Sequence, residues 1–242
     1  NLDWRGVMEV IEKGHQLPKA KISDTFLYRD TDTLLSRSAW IDGLGLAVKS
    51  ATVFPKNPDR EMAMINGAVS LFSDKYGTLE ALIDFHLVTK WKTAGDSLFA
   101  ASRLARKDSN RILIIGAGTV GRSLREAYGT LFPDASFTVW NRSQKNAEKM
   151  VHEYNKTEIS VDLQSAVQSA DIITCATMST EPLIKGEWLR PGQHFDLIGA
   201  YRPDMREVDD QAISHSRVFV DSFDTTVDHI GEIKIPIESG VI

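Results

Sequence analysis

Hydrophobic and polar positions alternate in short runs through the first third of the chain. Residues 25–28, 33–40, 45–54, 67–72 and 78–84 each read as a strand bounded by turn residues. The Ser73-Asp74-Lys75-Tyr76-Gly77 segment predicts a hairpin loop, with Gly77 supplying a positive φ. The spacing then changes. Trp91, Leu98, Ala101, Leu104 and Ala105 fall at roughly helical intervals and predict a helix over 89–106 that links two domains; Lys107-Asp108-Ser109-Asn110 breaks it. Beyond Asn110 strands alternate with helices: strand 111–115, helix 120–131, strand 137–140, helix 144–154, strand 159–161, a short helix opened by Asp162, and strands 172–176, 195–198 and 218–221. Strands joined through helices need right-handed crossovers and give a parallel sheet covered on both faces. The expected fold class is α/β, a Rossmann-type doubly wound parallel sheet over 107–242 behind a smaller β-rich (α+β) domain over 1–106.

Composition narrows the function. Of 242 residues 25% are charged and 42% hydrophobic, which suits a packed globular chain rather than a disordered or fibrous one. The net charge is -5, with no basic block, so nucleic acid is not an expected partner. The single cysteine, Cys175, cannot close an intramolecular disulfide or build a Cys-based metal site, which points to a reducing compartment, the cytoplasm. Cys175 itself reads as apolar filler in a buried strand, and Trp40, Trp91 and Trp188 read as core or interface residues. His15, His86, His152, His194, His215 and His229 show no metal-ligand spacing, and no metal is expected. No apolar run approaches the roughly 18 to 20 residues that span a bilayer, and no membrane partner is expected. The opening Asn-Leu-Asp-Trp-Arg is not a signal peptide, and the lack of an initial Met suggests trimming.

The sharpest local signal is a buried strand running into Gly116-Ala117-Gly118-Thr119-Val120-Gly121 and then into a helix. Each glycine has a steric role: Gly116 for the tight turn, Gly118 for close approach of backbone to a pyrophosphate, Gly121 for helix–strand packing. The helix amino terminus then faces the phosphates of a dinucleotide. About 20 residues further on, where an Asp or Glu would bind a ribose diol, stand Asn141, Arg142 and Ser143, with Lys145 close by. Neutral and cationic donors suit an added 2′-phosphate, so NADP is favoured over NAD. The alternative is that Ser143 is only a helix N-cap and Arg142 only solvated, which leaves the choice open.

Two lysines stand out in the first domain. Strand alternation places Lys49 on the face of Ala47, Ala51 and Val53, where a cation either snorkels at a sheet edge or lines a cleft. Lys92 lies near the start of the linking helix, four residues before Asp96; it is a substrate cation or half of an exposed ion pair worth only about 0.3 to 0.5 kcal/mol.

Taken together these residues resemble the ornithine cyclodeaminase and mu-crystallin family over nearly the whole chain. The matching segments are Lys49 with Phe54-Pro-Lys-Asn57, Val88-Thr-Lys-Trp-Lys92-Thr-Ala, the glycine loop, Trp140-Asn-Arg-Ser143, Ala176-Thr-Met-Ser-Thr-Glu-Pro182, Gly186-Glu-Trp-Leu-Arg-Pro-Gly192 and Gly199-Ala-Tyr-Arg-Pro-Asp-Met-Arg-Glu207. The resemblance implies a dimerising first domain, a homodimer, and a nicotinamide cofactor lying between the two domains, with Ala176, Thr177, Met178 and Gly199 on the cofactor. It implies that Lys49 reaches the substrate and that Lys92-Thr93 replaces an Arg-Thr pair gripping its carboxylate. Lysine keeps the charge but loses the bidentate geometry. A further family arginine falls near Lys21. Cyclodeaminases carry an aspartate where this chain has Tyr201, which argues for the reductase or dehydrogenase branch. Family members also continue past the Gly231-Glu232 segment into helices that return to the first domain, and these are expected to be missing from 1–242.

The expected activity is that of an NAD(P)H-dependent reductase of a small carboxylate-bearing imino acid, a ketimine reductase, or in reverse an amino-acid dehydrogenase. Lys49 and Lys92 are its expected catalytic cations, with Lys21, Thr93 and Tyr201 beside the substrate. Two rivals are a lyase that releases ammonia with internally recycled NAD, and a non-catalytic NADPH-binding protein.

Overall fold

The computed structural model describes residues 2–242, and the chain divides into two compact units, one ending at Lys92 and the other beginning at Thr93. The first unit opens with α1 (Trp4–Gly14), capped by Asp3, whose carboxylate accepts the Gly6 N–H at 2.8 Å. Trp4 is the buried residue of this helix, and its ring lies 4.3 Å from that of Trp91. Five strands follow: β1 (Lys21–Arg29), β2 (Asp32–Ile41), β3 (Gly45–Val53), β4 (Ile65–Phe72) and β5 (Leu79–Asp84). They pair in chain order as an antiparallel meander; the alternating runs predict the strands, and the structure adds their order. The turn after β4 holds Gly77 at φ 65°, a conformation that costs glycine little. Ala51, Val53 and Val69 are buried on one sheet face, whereas β1 is exposed along its length, including Ile22, Phe26, Leu27 and Tyr28.

The linking helix α2 (Phe85–Leu104) begins four residues earlier than the pattern suggests, because the Asp84 carboxylate accepts the Leu87 N–H at 2.8 Å. The divide between the units falls inside this helix, whereas the sequence reading puts a boundary after Arg106. Ala94, Leu98 and Ala101 are buried, and the Ser97 hydroxyl donates to Asp196 at 2.7 Å, so the later turns of α2 belong to the second unit's core.

That unit continues through β6 (Arg111–Ile115), α3 (Thr119–Leu131), β7 (Ser136–Trp140), α4 (Gln144–Glu153), β8 (Thr157–Ile159), α5 (Leu163–Ser169), β9 (Ile172–Cys175), β10 (His194–Leu197), α6 (Asp210–Ser214), α7 (Phe223–Thr226) and α8 (Gly231–Glu238). Its five strands are parallel, in the order β10-β9-β6-β7-β8. Both faces are covered. Leu113 and Ile115 pack with Val167 of α5 and Ala212 and Ile213 of α6, while Gly121 of α3 lies over Ile114 on the opposite face. The sheet is the doubly wound α/β arrangement the alternation requires. It runs outward from β6 in both directions, so the chain order reverses between β6 and β9 and leaves a ligand crevice at their carboxyl ends.

The predicted strand over 218–221 does not form. Val218 and Phe219 are exposed and only Val220 packs against the core, so this apolar run contributes one anchoring side chain and has no ladder partner among the described residues. No helix among the described residues is long and apolar enough to cross a membrane.

Candidate functional site

In the second unit the glycine loop leaves β6 at the crevice. Gly116 takes φ 108°, and a Cβ there would meet the Ala176 carbonyl oxygen at 2.6 Å. A Cβ at Gly121 would come within 1.9 Å of the Gly116 oxygen, so α3 can pack this close only without a side chain. Gly118 differs: nothing lies within 4 Å of the point a Cβ would occupy, and the backbone there is open to an approaching group. Gly118 is also the N-cap of α3 and supplies no side-chain cap, so the first-turn N–H groups are left for an anion. Thr119 is exposed, Val120 half-buried and Ala117 buried. The residues present fit a dinucleotide pyrophosphate.

The end of β7 braces this loop. Asn141 accepts the Ala117 N–H on Oδ1 at 2.9 Å and donates through Nδ2 to the Ser143 carbonyl at 2.8 Å. Asn141 is therefore occupied in holding the loop. Arg142, Ser143 and Lys145 remain exposed, and the Ser143 hydroxyl makes no cap bond although it occupies the N-cap of α4.

On the other side of β6, Ala176, Thr177 and Met178 follow β9 and Gly199 follows β10. Thr177 and Gly199 meet through a residue that the sequence reading did not single out. Glu207, fully buried, accepts the Thr177 N–H and hydroxyl on Oε1, both at 2.7 Å, and the Gly199 N–H on Oε2 at 2.9 Å. A Cβ at Gly199 would lie 2.1 Å from the Thr177 oxygen, which accounts for glycine there. Behind it Glu232 accepts the Glu207 N–H at 2.6 Å and the Val208 N–H at 3.2 Å. Burial and the neighbouring Glu207 keep the Cys175 thiol well above its ordinary pKa, consistent with an unreactive filler. Tyr201 is half-buried, and burial raises the pKa of its phenol.

The first unit gathers the cations. Asp24, Arg37, Lys49 and Val69 form one cross-strand row over β1, β2, β3 and β4, on the face of the buried Ala51 and Val53. The Asp24 carboxylate holds the Arg37 guanidinium, with Nε to Oδ1 at 2.7 Å and a second bond from Nη2 to Oδ2. Burial lowers the pKa of the Lys49 ammonium, and the positive charges of Arg37 and Lys92 lower it further. The charge of Lys92 thus reaches Lys49. Arg37 was missed, although counting back from the hairpin pair Ile41–Gly45 sets it opposite Lys49. Lys21 does not join this group. It pairs with Trp40 three rungs away, which puts it on the opposite face, where it is 76% exposed and sits 3.7 Å from Asp42. Thr93, half-buried, follows Lys92 in α2.

Comparison with known proteins gives this arrangement a family. The chain is 46% identical to the Delta(1)-pyrroline-2-carboxylate reductase of Paracoccus denitrificans over 246 aligned positions, which take in 100% of this chain and 78% of that protein. Its structure is similar to that of the Thermococcus litoralis Delta(1)-pyrroline-2-carboxylate reductase in complex with NADH and L-proline, at a TM-score of 0.91 and 28% identity, covering 100% of this chain and 78% of the other. It is equally similar to an archaeal alanine dehydrogenase dimer with bound NAD, at a TM-score of 0.91 and 26% identity, covering 100% and 77%. The profile of one family matches residues 39–241, and the chain belongs to it: the ornithine cyclodeaminase/mu-crystallin family.

Proposed function

We propose that the protein is a nicotinamide-dependent reductase of small imino acids that carry a carboxylate, or in reverse an amino-acid dehydrogenase. The observation that carries this reading is Lys49, a part-buried lysine on the face of the buried Ala51 and Val53, where Arg37 and Lys92 add positive potential and Asp24, paired with Arg37, offsets part of it. Such a position attracts an anionic substrate and holds an ammonium whose proton leaves more readily than that of an exposed lysine. The whole-chain similarity to a Delta(1)-pyrroline-2-carboxylate reductase supports the substrate class.

A reduced nicotinamide, when bound, supplies the hydride. The residues that would hold it are Gly116 to Gly121 for the pyrophosphate, and Ala176, Thr177, Met178 and Gly199 at the ends of β9 and β10. Arg142, Ser143 and Lys145 favour NADP over NAD, since three exposed donors and no carboxylate follow β7 and Asn141 is turned to the loop. Lys49 binds the substrate carboxylate and relays a proton from Nζ to the imine nitrogen, which makes the carbon a better electrophile. Lys92 offsets the carboxylate charge without the bidentate grip of an arginine, and Thr93 contributes a hydroxyl. Tyr201 is a phenol where a cyclodeaminase needs a carboxylate, so release of ammonia from a diamino acid is disfavoured. The exposed apolar side chains Leu27, Leu34 and Trp40, which share the β1–β2 face away from Lys49, suit a homodimer, the state in which the archaeal alanine dehydrogenase was solved.

The test is oxidation of NADPH and NADH, followed by nicotinamide absorbance, with pyrroline-2-carboxylate, piperideine-2-carboxylate, and pyruvate plus amines. Turnover with a cyclic imine and a lower KM for NADPH is expected. Absence of turnover with every substrate refutes the proposal.

A further inference from the structure

Glu207 lies outside the glycine loop, yet its carboxylate ends two strands at once. β9 and β10 are paired through Cys175 and Leu197, and the Ile198 N–H continues the ladder to the Cys175 carbonyl at 3.0 Å. One residue further on the ladder stops, and the N–H groups of Thr177 and Gly199 turn to the two oxygens of Glu207 instead. These bonds go to a buried carboxylate, and a charge-assisted bond is stronger than a neutral one. The link reaches the glycine loop, because Ala176, next to Thr177, is the residue against which Gly116 makes its turn.

Glu207 is itself fixed from behind. The Leu183 and Ile184 N–H groups both donate to its carbonyl, at 2.9 and 3.0 Å, and its own N–H donates to Glu232. α8 delivers Glu232 because Gly231 packs on the carbonyls of Pro203 and Met205, where a Cβ would meet oxygen at 2.5 and 2.6 Å. The buried Arg206, bonded to Asp210 at 2.6 Å, places its Nε 4.0 Å from Glu232. In a doubly wound sheet the ribose-reading position follows the second strand, here β7, so the nicotinamide half of a dinucleotide falls toward β9 and β10.

We propose that Glu207 is a positioning residue for the nicotinamide half of the cofactor, fixing the ends of β9 and β10 at Thr177 and Gly199 without touching the adenosine half. This inference rests on the cofactor reading above. It separates two halves of one ligand, and that separation is what a merely structural glutamate would not produce.

The experiment is calorimetric titration of wild type and Glu207→Gln with NADPH and with 2′-phospho-ADP-ribose, which lacks nicotinamide, and in parallel with NADH and ADP-ribose. The amide nitrogen of Gln cannot accept, so one strand end is released. The Kd for the intact dinucleotide should rise about tenfold, the scale of one charge-assisted hydrogen bond, while the Kd for the nicotinamide-free fragment changes less than about twofold. Equal weakening of both ligands, or no weakening of either in a folded variant, overturns the proposal. Should Glu207→Gln not fold, Thr177→Val removes one donor while keeping side-chain shape and the backbone bond; a selective loss of about threefold is expected, and none overturns the proposal. Wild type that binds neither dinucleotide overturns the cofactor reading, and this inference falls with it.

Discussion

Replacing Glu232 by Gln isolates the charge of one buried carboxyl. Glu232 is 5% exposed in the first turn of α8 and accepts the N–H groups of Glu207 and Val208. Burial raises its pKa to about 7 against an ordinary 4.5; the two backbone donors pull it down, and the charge of Glu207 adds to the rise. That difference is worth about 3 kcal/mol at 1.36 kcal/mol per pH unit. Because the folded value lies above the unfolded one, the neutral carboxyl contributes its full stabilisation below about pH 4.5, and the contribution is lost as pH rises to about 7. Gln cannot ionise; its single oxygen accepts only one of the two backbone N–H groups, which go to different carboxylate oxygens, so the variant also carries a fixed, pH-independent loss. Urea unfolding of wild type and variant from about pH 4 to about pH 8 should show the variant gaining up to about 3 kcal/mol relative to wild type, mostly between pH 5 and 7. Other titrations cancel in the difference, so a fixed offset between proteins does not matter. Stability curves that stay parallel across this window refute the reasoning.

Gly118→Ala should weaken NADPH binding at least tenfold in calorimetry while stability shifts by less than about 0.5 kcal/mol, because the added methyl meets no protein atom; an unaltered Kd would remove Gly118 from the phosphate site. Gly121→Ala should cost both stability and binding, with about 1 to 3 kcal/mol lost in urea unfolding, since its Cβ would strike the Gly116 carbonyl. Lys49→Ala should lower kcat by about 100-fold or more with cofactor affinity unchanged, and turnover equal to wild type would exclude Lys49 from proton relay. The basic limb of the wild-type kcat/KM profile should fall at lower pH than an exposed lysine would give, following the downward shift at Lys49, and should vanish in Lys49→Ala. Arg142→Asp should shift the NADPH-to-NADH preference at least tenfold toward NADH in steady-state kinetics.

Most of the second unit was legible along the chain because its signals are local. The glycine loop needs adjacent residues only, and the 3.6 and 2.0 periodicities separate helices from strands one element at a time. Even there, residues 218–221 show the limit, since an apolar run specifies burial but not a hydrogen-bond partner. Lys49 was legible by the same logic, as a cation out of place on an apolar face. Its neighbours were less so. Arg37 stands twelve residues before it and comes alongside only when the β2–β3 register is fixed, while Lys21, equally cationic in sequence, turns to the other face because it is offset from Asp24 by three positions, an odd number.

Sequence alone determined the two-part α/β layout, the glycine turn after β6 and the placing of Lys49 on an apolar strand face, since each follows from residue type and spacing within one element. Tertiary structure decided which charges meet. Glu207 reads as one more acid in a polar stretch, yet long-range packing delivers it to backbone donors 30 and 8 residues away and sets Glu232 behind it. A carboxylate finds its partners through the path of the whole chain, and no pattern within a single element records that path.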